Sequence, residues 1–156
     1  MLGNIMLDAD RKPIYNEESI FKEIPNFLQE TAFIDRIHGI IPGWELPRVS
    51  KDTPSHNLGF KGDFFSEVLH RLRGEVRYAD YVKMHMRLEG SNDLRDRKAI
   101  SRLASAYLKL LFPDLQPSEQ EFRSYCVEPA IELRQRVRDE LHKLDPEYAS
   151  VKIVAV

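Results

Sequence analysis

The chain has 156 residues, of which 42% are hydrophobic and 31% charged, and its formal net charge at pH 7 is -2. This composition predicts one globular domain, or one domain and a small appendage, with a hydrophobic core. A net charge near zero gives no argument for nucleic acid or an acidic membrane as a partner. No uninterrupted apolar run approaches the length of about 18 residues that predicts a membrane span. The single cysteine, Cys126, excludes an internal disulfide and favours a reducing compartment, the cytoplasm.

The beginning of the chain predicts a β-strand with few partners. Residues 1–7 are apolar and typical of a strand, and the other strand candidates are residues 39–44 and 150–156. A lone strand leaves its backbone donors and acceptors unpaired. We therefore expect the chain to begin inside a larger domain.

Two short helices are predicted next. Residues 19–27 favour a short helix that Pro25 interrupts, because proline lacks the amide hydrogen that an α-helix needs. Thr31 is a candidate N-cap for a second helix that carries Phe33, Ile34 and Ile37.

The remainder of the chain predicts four amphipathic helices joined by short connections, with a stable core over residues 63–144. The expected features, in chain order, are Asp63 as an N-cap, a second helix over residues 79–88, Asn92 as the N-cap of the third helix, a stop before Pro113, a Ser118–Glu121 capping box and a kink at Pro129.

Three separated segments, GNIMLD, ETAFIDRIHGIIPGWELPR and NDLRDRKAISRLASAYLKLL, occur in this order. Together they resemble the Lon-like AAA+ protein of bacterial BREX (bacteriophage-exclusion) systems over most of the chain. More loosely, they resemble AAA+ ATPases, including Lon proteases and MCM helicases, from the sensor-1 strand to the end of the lid. The resemblance implies a fragment of an ATP-dependent, Lon-protease-like ATPase that takes part in bacteriophage defence.

Asn4 lies in the first of these segments, at the position where the resemblance implies the sensor-1 residue. A neutral amide is suited to orienting the attacking water, since it adds no charge beside the phosphate. On the Gly-Asn dipeptide alone, a turn asparagine is the commoner interpretation.

Arg36 lies in the second segment, where the resemblance implies an arginine finger. Such an arginine reaches the active site of the neighbouring subunit and raises the hydrolysis rate by roughly 10³–10⁵. The alternative is a surface arginine paired with a nearby acid, an interaction worth under about 1 kcal/mol.

Arg95 lies in the third segment, seven residues before Arg102, and the resemblance implies that it is the sensor-2 arginine, which contacts nucleotide bound to the same chain. Arg97 is the neighbour with which it could be confused. The alternative interpretation is a solvated helix surface, because residues 95–98 are all charged.

The sequence has no G-x-x-x-x-G-K-[ST] motif, so it lacks a phosphate-binding loop. The resemblance places that loop upstream of Met1 and a Ser–Lys protease domain downstream of Val156. ATP and Mg are therefore expected as cofactors of a full-length parent, and none is expected to bind tightly to this chain alone. The implied partners are further copies of the parent, which form a ring. DNA stays open as a partner of other domains of the parent, and no membrane partner is expected. The five histidines show no zinc spacing, and no metal site is predicted.

The predicted fold class is mainly α: a helical lid bundle preceded by a short α/β stub, with a short C-terminal strand. Residues 1–50 are expected to end an AAA+ core subdomain, residues 51–146 to form the lid, and residues 147–156 to begin a linker or strand.

The alternative function is a self-contained helical DNA-binding or adaptor module. It is motivated by the basic residues Arg71, Arg73, Arg77, Lys83 and Arg87.

Overall fold

A computed structural model of the protein describes residues 2–15, 17–54 and 57–156, and this part of the chain is mainly α-helical, as predicted. Met1 and His56 lie outside the described residues. The α-helices are α1 (Thr31–Ile34), α2 (Gly62–Arg73), α3 (Arg77–His85), α4 (Leu94–Leu111), α5 (Glu119–Phe122) and α6 (Glu128–Leu144). The remaining elements are two 3₁₀ helices (Ile20–Glu23 and Asn26–Leu28), a π-helical turn (Arg123–Val127) and two strands, β1 (Leu88–Glu89) and β2 (Val154–Ala155).

The C-terminal strand is confirmed, but its partner was predicted as helix. Strands β1 and β2 are antiparallel, with Leu88 opposite Ala155. Helix α3 ends at His85, three residues before the predicted helix end, because Met86 takes an extended conformation. Gly90 then turns the chain with a φ of 93°, in the left-handed region that favours glycine.

The strands predicted over residues 1–7 and 39–44 are wrong. In the described part of the first segment, the only strand-like pairing is an isolated bridge between Leu7 and Pro13. Residues 39–44 are irregular, and the backbone of Ile40 instead donates to the carbonyl of Leu133 in α6 at 3.1 Å. Ile5 of the first segment and Ile40 and Trp44 of the second pack against a cluster of buried apolar residues that includes residues of α6, whereas Leu2, Met6 and Ile41 are exposed.

Proline and capping residues act as predicted at three places, one of which is the end of α4 at Leu111, before Pro113, and they are displaced at others. Pro25 separates the two 3₁₀ helices, and the Ser118–Glu121 capping box is present in full. The N-cap of α4 is Asp93 and not Asn92, because its carboxylate reaches the amide of Arg95. The π-helical turn comes two residues before Pro129, which shows how the chain accommodates the missing amide hydrogen there. Thr31 and Asp63 lie in the first turns of α1 and α2 and are not their N-caps.

The buried apolar residues form two clusters that share α6. The larger joins α3, α4, the π-helical turn and the N-terminal half of α6. The smaller packs Ile20, Phe21 and Ile34 against Val137 and Leu141 in the C-terminal half of α6. Helix α2 has no buried residue. Helix α6 therefore connects the N-terminal segment to the helical bundle.

No helix within the described residues has the length and apolar character needed to cross a membrane. In the same part of the chain, no three His, Cys, Asp or Glu side chains are grouped so that they could hold a metal ion.

Candidate functional site

A buried arginine on α6, Arg134, lies where the N-terminal segment meets α4 and α6. None of its side chain is exposed. Its Nε donates to Asp96 Oδ1 at 2.7 Å and its Nη2 to Asp35 Oδ1 at 2.7 Å. Its Nη1 donates to the main-chain oxygens of Asp35, at 3.0 Å, and of Ile37, at 2.6 Å. Four of the five N–H groups of the guanidinium thus have acceptors, as a charged group without solvent requires.

The two carboxylates of this cluster have further partners. Asp96 Oδ2 accepts from the hydroxyl of Ser91 at 2.5 Å and lies 3.6 Å from Nε of Arg138. Asp35 also forms an ion pair with Arg95. Each buried negative charge therefore lies beside arginine, which is the condition for burying carboxylates in ionised form.

Arg95, the candidate sensor-2 residue, lies at the solvent edge of the cluster. The side chain is 51% exposed, whereas its partner Asp35 is 1% exposed. The hydrogen bond and charge of Asp35 raise the pKa of the Arg95 guanidinium above its ordinary value. The start of α4 determines where Arg95 lies, since the Arg95 amide donates to the N-cap carboxylate of Asp93 at 2.8 Å.

Arg97 points to a different part of the molecule. Its Nη2 donates to the main-chain oxygen of Leu88 in β1 at 3.3 Å. Of the two arginines that the sequence left in competition, Arg95 is the one that contacts the segment carrying Arg36.

Arg36, the candidate finger, follows Asp35 directly and is exposed. Its amide donates to the oxygen of Phe33 at 3.0 Å, which continues the turn begun by α1. Its Nη1 donates to the main-chain oxygen of Ala32. No acidic side chain in the described part of the chain forms an ion pair with it, so the simple surface ion pair considered above is absent there.

Asn4, the candidate sensor-1 residue, is exposed and makes no side-chain hydrogen bond to any described residue. Its neighbour Ile5 packs against the smaller apolar cluster, and the Met6 amide donates to Glu23 Oε2 at 2.7 Å. The structure thus brings the Arg36 segment and Arg95 together through Asp35, and it does not join Asn4 to them.

His38 adds a titratable group beside the same segment. Its Nε2 lies 3.0 Å from Nη1 of Arg102, and since arginine only donates, Nε2 accepts and the ring is neutral. Burial, followed by the charges of Arg102 and Arg134, lowers the pKa of His38 below its ordinary value.

Sequence reasoning missed the three residues at the centre of the site, Asp35, Asp96 and Arg134. One signal was available: Arg134 lies three residues before Val137, at the spacing of the buried face of α6. A charged residue on such a face needs buried partners of opposite charge.

The solvent-exposed functional groups of this site are positively charged. Arg36 and Arg95 present guanidinium groups at the surface, and a guanidinium is suited to phosphate oxygens through its planar fork and permanent charge. Within the described residues, the cluster contains no cysteine and no pair of carboxylates free of arginine. The two exposed guanidinium groups have the chemistry to contact an anion such as phosphate.

Comparison with known proteins identifies the family. The chain is 33% identical over 143 residues to "Lon-like protease BrxL" of Escherichia coli O9:H4 (strain HS), an overlap of 92% of this chain and 20% of that protein. It is 27% identical over 144 residues to the protein of the same name from Bacillus cereus (strain H3081.97), with 92% and 21% covered. The chain therefore spans about a fifth of the length of these relatives. The profile of the family "Lon-like protease BrxL-like, ATPase domain" matches residues 1–154, and the chain belongs to this family.

Proposed function

We propose that this chain contributes arginine residues to ATP sites formed between subunits of a longer, ring-forming Lon-like ATPase. Arg36 is the finger that enters the neighbouring subunit's site, and Arg95 is the sensor that contacts nucleotide bound to its own chain. The observation that carries the proposal is the position of Asp35, which precedes Arg36 in sequence and pairs with Arg95 in space. Asp35 thereby links the segment that carries Arg36 to the start of the helix that carries Arg95.

The finer parts of the proposal rest on the family. The parent uses ATP and Mg, assembles from several identical subunits and acts in bacteriophage defence. Asn4 is the sensor-1 residue, and it reaches the site only with the rest of the AAA+ core around it. Because this chain has no phosphate-binding loop motif, we expect it to show no ATPase activity alone and at most weak affinity for nucleotide.

The alternative function is a self-contained DNA-binding or adaptor module. Some of the basic residues that suggested it have partners within the chain. Arg71 pairs with Glu67, and Arg77 pairs with Glu75. Arg87 donates to main-chain oxygens of its own turn. Two of the five basic residues, Arg71 and Arg77, are thus paired with acids of the chain itself.

The proposal is tested by Arg36→Ala in the full-length parent. Hydrolysis is expected to fall by roughly 10³-fold or more, while nucleotide binding by the same chain stays largely intact, because the finger acts across the interface. Arg95→Ala is expected to weaken the response to nucleotide in its own chain. Arg73→Ala, a change of an exposed arginine on α2, serves as the matched control and should leave hydrolysis unchanged.

Mixed assemblies separate the two roles. Arg36→Ala subunits retain their phosphate-binding loop, and subunits with an inactivated loop retain their finger. Mixing them should restore hydrolysis at interfaces where an intact loop meets an intact finger. Equal hydrolysis by Arg36→Ala and unsubstituted assemblies would show that Arg36 is only a surface charge.

A further inference from the structure

We propose that Arg134 is a positioning residue for the finger: it holds the backbone on both sides of Arg36 and ties that backbone to the helix that carries Arg95. The inference rests on the proposed function and extends it to a buried residue that contacts neither nucleotide nor the neighbouring subunit.

Arg134 contacts the main chain on both sides of Arg36. Arg134 Nη1 donates to the oxygens of Asp35 and Ile37, the residues immediately before and after Arg36. Two hydrogen bonds that flank one residue restrict the rotation of its backbone. The exposed side chain of Arg36 therefore extends from a point that α6 holds in place.

Arg134 also contacts α4, the helix that carries Arg95. Arg134 Nε donates to the carboxylate of Asp96, which follows Arg95, and its Nη2 donates to the carboxylate of Asp35, which pairs with Arg95. One planar guanidinium thus connects the segment of the finger to the start of the helix of the sensor. A lysine cannot replace it, because an ammonium is a single point of charge and does not reach acceptors spread around a fork.

The segment that follows Arg36 also fits closely against α6. At Gly39 an added Cβ would lie 2.7 Å from Cβ of Leu133, the residue before Arg134. The Ile40 amide also donates to the Leu133 oxygen at 3.1 Å. The chain just after Arg36 is therefore pressed onto α6, and this second contact does not depend on charge.

The consequence is that Arg36 and Arg95 move together when α6 moves. A shift of about 1 Å in a catalytic group costs as much as 10²-fold in rate. Loosening Arg134 should therefore impair hydrolysis at the neighbouring subunit's site even though Arg36 itself is unchanged.

The experiment uses mixed assemblies of the full-length parent. Acceptor subunits carry Arg36→Ala with an intact phosphate-binding loop, and donor subunits carry an inactivated loop with an intact finger. Arg134→Lys is introduced into the donor alone or into the acceptor alone. In the donor it should lower kcat at the mixed interface by roughly 10²-fold with little change in KM for ATP. In the acceptor it should raise KM, because there it disturbs only Arg95.

Two donor controls separate positioning from stability. Arg136 lies on the same helix, is half-buried and pairs with the exposed side chain of Glu132, and Arg136→Lys keeps its charge. Val137→Ala removes buried apolar contacts nearby. Both should leave kcat close to that of the unsubstituted mixture, although Val137→Ala should lower Tm. If Arg134→Lys prevents assembly, donor Gly39→Ala, which keeps every charge, replaces it and should also lower kcat.

The outcomes are distinct. Undiminished kcat with the Arg134→Lys donor, or with the Gly39→Ala donor where the former does not assemble, would overturn the inference. So would an equal loss of kcat from either subunit, since general destabilisation gives that result. Failure of the starting mixture, without any change at Arg134, to hydrolyse ATP would instead overturn the proposed function.

Discussion

Arg134 Nη2 donates to Asp35 Oδ1 at 2.7 Å across 99 positions of sequence, and solvent reaches neither side chain to more than 1%. This contact joins the N-terminal segment to the last helix of the bundle. A buried ion pair costs much to desolvate, so its net contribution to stability depends on how completely both partners are satisfied. Here the guanidinium and the carboxylate each have additional partners.

Replacing Asp35 should therefore destabilise the fold strongly. Asp35→Ala leaves Arg134 buried with one anionic partner fewer, and we expect a loss of about 3–5 kcal/mol in the free energy of unfolding. Urea denaturation measures it. Glu132→Ala, which removes an exposed carboxylate that pairs with Arg136, is the control and should cost under about 1 kcal/mol. A similar decrease in the free energy of unfolding of the two variants would show that the buried contacts of Asp35 stabilise the fold no more than an exposed ion pair does.

Gly39 tests the fit of the finger segment on α6. Gly39→Ala places a methyl group 2.7 Å from Leu133 Cβ and 3.3 Å from its main-chain oxygen, so the segment must move. We expect destabilisation of about 1–3 kcal/mol, as for other overpacked sites. Gly43→Ala, where nothing lies within 4 Å, should change stability little and is the matched control. Thermal unfolding of both variants gives the comparison, and indistinguishable Tm values would contradict the close approach.

His38 predicts a dependence of stability on pH. Burial first, and then Arg102 and Arg134, lower its pKa in the folded chain, so the unfolded chain binds the proton more tightly. The stabilising contribution of neutral His38 is thus fully present above the unfolded value of about 6.5 and is lost as pH falls through the folded pKa. The free energy of unfolding, measured from pH 7.5 downward, should fall less steeply for His38→Asn than for the unsubstituted chain. Parallel curves would show that His38 does not titrate differently in the two states.

Amide hydrogen exchange rates should differ between helices within the predicted core. Residues 63–144 were expected to form the stable core, but within them α2 has no buried residue, whereas α4 and α6 contribute to both the apolar core and the Arg134 cluster. The slowest amides are therefore expected in α4 and α6, and those of α2 should exchange orders of magnitude faster. Mass spectrometry of peptides from the exchanged chain measures this. Equal protection of α2 and α4 would mean that α2 is held by contacts other than side-chain burial.

The helical class, the capping box and the family follow from local sequence. Ser118 and Glu121 need only each other, three residues apart, to close the capping box, so their spacing predicts it. Three ordered segments suffice for the resemblance, and the comparisons confirm the family. The strand pairing could not be predicted in this way. Leu88 pairs with Ala155 across 67 positions, and no local sequence pattern specifies such a contact.

What only the tertiary structure decided is the set of partners that the arginines have. Arg95 and Arg97 are equivalent in sequence, two charged residues on one helix. Folding places Arg95 beside Asp35 and Arg97 beside the oxygen of Leu88. Likewise, Arg134 resembles a surface arginine until α6 packs against the N-terminal segment and removes it from water. The pairing of charges depends on distance and on the exclusion of solvent, and both arise only when segments remote in sequence come together.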